Sequence, residues 1–127
     1  MKLDLESGKM NSENKIIDLE NSLFVKLLGN SPYIRVLDFL LVYRDFDYSK
    51  KEIAENANVS YNTLNSFWHE MLNNGIIVKT RRIGKQDMFR LNQESKLVKS
   101  LILVFDSIAA ESIAEQKQGI AESKIRA

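Results

Sequence analysis

The chain has 127 residues, a formal net charge of +1 and no cysteine. That length predicts one domain able to bury its own core. The missing thiols exclude a disulfide framework, a thiolate metal site and a cysteine nucleophile. No stretch approaches the roughly 18 apolar residues of a membrane span, and no charged segment leads into an apolar run at the N-terminus. The expected protein is therefore soluble, cytoplasmic and not membrane-bound.

Residues 1–14, MKLDLESGKMNSEN, lack any sustained apolar period and predict a flexible lead-in. From Lys15 to Leu28 the apolar residues Ile16, Leu19, Leu23 and Leu27 recur at helical spacing, with Gly29-Asn30 as the stop. Ser31-Pro32 opens a second helix, because proline is tolerated at the first helical position behind a serine cap. Its apolar residues face most directions, as in a scaffold helix buried on more than one side. Phe46-Asp47-Tyr48 alternates and predicts one short strand.

Two helix signatures then follow with little between them. Ser49 and Glu52 form a capping box, in which the hydroxyl accepts from a first-turn amide and the carboxylate reaches back. Ile53, Ala54 and Ala57 supply a small apolar face, and residues 56–59 leave room only for a tight turn. Ser60 caps a longer helix whose Leu64, Phe67, Trp68 and Met71 fall at i, i+3, i+4 and i+7. Gly75 stands where a helix needs a left-handed residue to end. A short helix, a turn and a longer helix make a helix-turn-helix pattern, which is equally the pattern of an ordinary helical hairpin.

After Gly75 the period becomes strand-like. Ile76-Ile77-Val78, a turn cluster at Gly84-Lys85-Gln86-Asp87 and the alternating Met88-Phe89-Arg90-Leu91 predict a β-hairpin. From 75 to 90 it carries Lys79, Arg81, Arg82, Lys85 and Arg90 against Asp87, a balance of 5 − 1 = +4. Asn92 is the expected cap of the last helix, with Glu94 at its positive end. Along that helix Leu97, Leu101, Val104 and Ile108 repeat by 4, 3 and 4, beside a second stripe of Val98, Ile102, Phe105 and Ala109. So broad an apolar band predicts a contact with another chain, with Leu97, Leu101, Val104, Phe105 and Ile108 at a dimer interface. From about Glu115 the sequence is polar and small, and a flexible tail is expected over 115–127.

A scaffold helix, a short strand, helix-turn-helix and a basic hairpin follow the element order of the winged helix domain. The chain resembles the archaeal winged helix-turn-helix transcriptional regulators related to the MarR and ArsR groups. LLGNSPYIRVLDFLL (27–41), KKEIAENANVSYNTLNSFWHEMLNNGII (50–77) and RRIGKQDMFRLNQESKLVKSLI (81–102) carry that likeness, which spans roughly residues 24–113. It implies a mostly α winged helix domain over 15–92 with a leading helix, then a long dimerisation helix over 93–114.

The resemblance makes 61–73 a recognition helix and 79–90 a wing. Tyr61, Asn62, Asn65, Ser66 and His69 would then face double-stranded DNA in the major groove, where Asn can pair with adenine and a tyrosine ring can touch a thymine methyl. Ser60 and Thr63, Lys50 and Lys51 at the preceding helix, and Lys79, Arg81, Arg82 and Lys85 on the wing are the expected phosphate contacts. In one respect the chain departs from the pattern. Its recognition helix contains no Arg or Lys, whereas such relatives commonly carry a basic residue near the position of Ser66. That places the burden of affinity on the wing and on Lys50 and Lys51, and keeps open a protein-interaction or chromatin-type assembly module.

No glycine-rich phosphate loop, metal-ligand cluster or nucleophile–base pair is present, so no enzyme activity and no cofactor are expected. His69 stands alone and reads as a solvated helix residue, and Trp68 reads as core. The sequence names neither an operator nor an effector.

Overall fold

A computed structural model describes the backbone of residues 22–126 and the side chains of 22–114. The expected lead-in and the first part of the leading helix lie outside these residues, as do the side chains of the expected tail. Among the described residues five helices and three strands follow one another: α1 (Leu23–Leu28), α2 (Pro32–Val42), β1 (Tyr48–Ser49), α3 (Lys50–Asn56), α4 (Tyr61–Asn73), β2 (Ile77–Ile83), β3 (Gln86–Leu91) and α5 (Lys96–Arg126). The sheet is antiparallel, with order β1-β3-β2. This is a mostly α winged helix-turn-helix fold, with the hairpin as its wing.

α2 is the axis of the core. Ser31 caps it, Pro32 begins it, and every residue from Val36 to Leu41 is buried. Around it pack Ile53 and Ala54 of α3, Leu64, Trp68 and Met71 of α4, Ile77 and Leu91 of the hairpin, and Val98 of α5. α1 is held from two sides. Its Phe24 ring meets Phe105 of α5 edge-on, with centroids 5.3 Å apart, and its cap Ser22 donates to the buried Asp38 of α2 at 3.0 Å.

Three local expectations need correction. The short strand is Tyr48–Ser49 rather than 46–48, because only those two residues reach partners on β3, at Phe89 and Met88. Phe46 stays outside the sheet and is largely exposed. Asn92 does not cap α5. Its amide nitrogen donates to the Gly75 carbonyl at 3.2 Å and its backbone N–H to the Ile76 carbonyl at 2.8 Å, so it closes the base of the hairpin. The cap is Ser95, whose hydroxyl accepts from the Val98 amide at 3.3 Å. The helix itself continues through Arg126, well past the expected end at 114.

Candidate nucleic-acid interface

Ser49 sits at the junction that sets the site's geometry. It is the last residue of β1, paired with Met88, and also the cap of α3. Both halves of the capping box form: the Glu52 amide donates to Ser49 Oγ at 3.1 Å, and the Ser49 amide donates to Glu52 Oε1 at 2.8 Å. The strand that joins the wing's sheet therefore delivers the chain directly into the helix-turn-helix.

The turn between α3 and α4 turns on Asn58, whose φ of 57° lies in the left-handed region that Asn tolerates better than most residues. Arg35 of α2 clamps this turn from below. Its Nε and Nη2 donate to the carbonyls of Ala57 and Asn58, each at 3.1 Å, and its Nη1 to Asn30 Oδ1 at 2.9 Å. No local signal marks Arg35 for this role, since the carbonyls it satisfies are 22 and 23 residues away.

α4 begins at the Ser60 cap, whose Oγ accepts from the Thr63 amide at 3.1 Å. It ends in a Schellman motif: the Ile76 amide donates to Met71 O at 2.9 Å and the Gly75 amide to Leu72 O at 3.1 Å, with Gly75 at φ 71°. Leu64, Trp68 and Met71 point into the core, and Phe67 packs on Tyr33 at 5.0 Å between centroids. The opposite face carries Tyr61, Asn62, Asn65, Ser66 and His69, all exposed. All three of the expected hydroxyl contacts have local partners. Ser60 Oγ donates to Thr63 Oγ1 at 2.8 Å, and the Ser66 hydroxyl donates back to the Thr63 carbonyl.

Trp68 joins the helix to the wing. Its ring meets Phe89 of β3 at 5.0 Å with an interplanar angle of 88°. On its other side the Lys50 ammonium lies 5.2 Å from the Trp68 centroid and 5.2 Å from that of Tyr61. Burial among these rings lowers the lysine's pKa. Lys50 thus ties α3 to α4 by cation–π contact. A groove of about 750 Å³ opens here, lined by Lys50, Lys51, Tyr61, Trp68, Lys85 and Asp87 among others.

The wing is a tight hairpin with Ile83 paired to Gln86, and Gly84 at φ 62° supplies the positive φ its two-residue loop requires. Its cations differ in freedom. Lys79 and Arg82 both approach Asp87 Oδ1, at 3.3 and 3.6 Å, and Arg81 pairs with Asp47 at 2.9 Å. Lys51, Lys85 and Arg90 have no carboxylate partner among the described residues. The groove thus brings Lys50, Lys51, Tyr61 and Lys85 of the expected site together, but three of the wing cations are paired within the chain.

α5 divides its apolar residues. Val98 is buried, and Leu101, Ile102, Phe105 and Ile108 pack partly against the core. Leu97, Leu103, Val104 and Ile113 remain between 48% and 69% exposed, and Leu27 and Leu28 of α1 are 65% and 47% exposed. Of the five expected interface residues, Leu97 and Val104 are free for a partner, while Phe105 is engaged by Phe24. Among the described residues no group of three or more His, Cys, Asp or Glu could hold a metal ion, and no helix is long and apolar enough to cross a membrane.

No protein-family model matches the chain, and no curated protein does. Solved structures do resemble it. The adhesin competence repressor AdcR of Streptococcus pyogenes superposes with a TM-score of 0.55 at 13% identity, over 89% of this chain and 84% of that one. ZitR of Lactococcus lactis superposes with a TM-score of 0.55 at 9% identity, over 90% and 84%. At such identities the likeness speaks to the fold alone, and it agrees with the winged helix-turn-helix architecture built above.

Proposed function

We propose that this chain is a DNA-binding transcriptional regulator acting as a cytoplasmic homodimer. One observation carries the reading. The exposed face of α4 is set outward by the Arg35 clamp, the Ser60 cap and the Trp68 anchor, with Trp68 packed on the strand of the cationic hairpin. In this role Tyr61, Asn62, Asn65 and His69 meet base edges, while Lys51, Lys85, Lys79 and Arg82 meet phosphates. Ser60, Thr63, Ser66 and Lys50 act mainly as supports, since their polar atoms are already engaged. Exposed Leu97 and Val104, with Leu27 and Leu28, form the homodimer contact. The MarR- and ArsR-like, archaeal-type affiliation suggested by the motifs belongs to the same proposal, and the winged helix fold shared with the repressor AdcR supports the regulator reading.

Selection of bound sites from a random duplex pool tests this reading. It expects an enriched inverted repeat with half-site centres about one helical turn apart. A pool that returns no preferred sequence overturns a sequence-specific regulator. It would favour the second reading, a winged helix used for protein interaction or non-specific chromatin-type assembly. That reading draws on two observations: α4 has no Arg or Lys, and three wing cations are paired internally.

A further inference from the structure

Arg81 is the most firmly held cation of the wing. Its Nε donates to Asp47 Oδ2 at 2.9 Å and its Nη2 to Oδ1 at 3.1 Å, a two-point fork on one carboxylate. Thr80 Oγ1 donates to the same Oδ2 at 2.6 Å. Consecutive strand residues ordinarily point to opposite faces. Here they converge because the register slips between them: Lys79 pairs with Phe89, Arg81 pairs with Met88, and Thr80 is the additional residue of a bulge. Asp47 immediately precedes β1, the strand on the far side of β3. Its carboxylate therefore reaches over the central strand to grip the outer one. The Asp47 side chain is only 15% exposed, against 38% for Asp87, whose contacts to Lys79 and Arg82 are longer.

We propose that Asp47 is an affinity-limiting latch, which fixes the bulge at Thr80 and withholds Arg81 from phosphate. The proposal rests on the DNA-binding reading. A phosphate could claim the Nε–Nη2 edge of Arg81 only by displacing a bidentate carboxylate, and at the remaining donors it would meet a charge that Asp47 already neutralises, so little charge pairing is gained. Asp47 is thus a positioning residue for the wing, and the number of phosphates the wing neutralises is smaller than its count of bases.

Three variants test it: Asp47→Asn, Arg81→Ala and the double substitution, titrated with duplex DNA at 50 and 200 mM salt. Asparagine keeps an acceptor for Thr80 but removes the charge that holds Arg81. The latch predicts that Arg81→Ala matches wild type in affinity and salt dependence. It predicts that Asp47→Asn loses about 3.5-fold more affinity than wild type over this fourfold change in salt for each Arg81 released, because one phosphate contact adds about 0.9 to the salt slope. The double variant should return to wild type. Weaker, shallower binding by Arg81→Ala overturns the latch, because Arg81 would then be a direct contact. Weaker binding by Asp47→Asn with no rescue in the double variant also overturns it and leaves Asp47 a purely structural residue. Wild type that binds no duplex overturns the DNA reading and the withholding claim with it. The latch itself is then read separately, from an NMR titration of the Asp47 carboxyl. That group should titrate well below the ordinary carboxylate range in wild type and move up toward it in Arg81→Ala, where the Thr80 bond alone still holds it down, and ordinary titration in wild type means there is no latch.

Discussion

Replacing Asp38 by Asn should remove a pH dependence from the folding stability of this domain. Asp38 lies wholly buried on α2 beneath α1, where Ser22 donates to Oδ1 and Oδ2 has no hydrogen-bond partner among the described residues. Burial lifts its pKa from 3.8 to about 6, with the Ser22 hydrogen bond opposing the rise. The folded state thus holds this proton more tightly than the unfolded chain, and ionisation works against folding. The stabilising contribution is complete below the unfolded value of 3.8 and is lost as pH rises through about 6. With each tenfold in proton affinity worth about 1.4 kcal/mol, the displacement amounts to about 3 kcal/mol, of which about 2 kcal/mol falls between pH 4 and 7. Denaturant unfolding of wild type and Asp38→Asn at pH 4, 5, 6 and 7 measures it. The packing cost of the new amide does not vary with pH, so only the change in the difference between the two proteins matters. Asp38→Asn should gain about 2 kcal/mol on wild type across that range. Two curves that stay parallel would refute the argument and mean that Asp38 titrates like a solvated carboxylate.

Other predictions follow from packing. Trp68→Ala removes the side chain that α4, β3 and Lys50 share and should destabilise the domain by about 3–5 kcal/mol, read from denaturant unfolding. Ser49→Ala breaks the capping box and should cost about 1 kcal/mol in the same assay, with the larger part recovered by Ser49→Thr. Leu97→Lys with Val104→Lys places charges on exposed α5 positions. It should shift sedimentation from dimer to monomer while leaving monomer unfolding within about 0.5 kcal/mol of wild type.

The local parts of this fold were legible in the sequence because their signals are local. Ser49-x-x-Glu52, Ser31-Pro32, Ser60 before the Leu64/Trp68 face, and Gly75 and Gly84 each act within a turn or two of their own position, and each does in the structure what its residue type dictates. What escaped is long-range. Asn92 and Ser95 are both competent caps three residues apart, and the choice between them is made by the Gly75 carbonyl, 17 residues upstream, which takes the Asn92 amide. Counting bases made the wing look uniformly cationic, whereas Asp47 neutralises Arg81 from 34 residues away. Arg35 resembled an ordinary solvated residue on α2 until the turn carbonyls came to it. One signal was available and unused. Asp38 stands inside the apolar run VLDFLL, where a lone carboxyl has little prospect of reaching water.

The central claim, that the outward face of α4 and the adjoining wing form a DNA interface, is tested most directly by titrating labelled duplex DNA with wild-type protein at 50 and 200 mM salt. Four phosphate contacts, from Lys51, Lys79, Arg82 and Lys85, predict a fall in affinity of about 150-fold per bound protomer over that range, since the salt slope is close to 0.9 per contact. Affinity that stays in the high micromolar range at 50 mM, or that does not change with salt, would contradict the account.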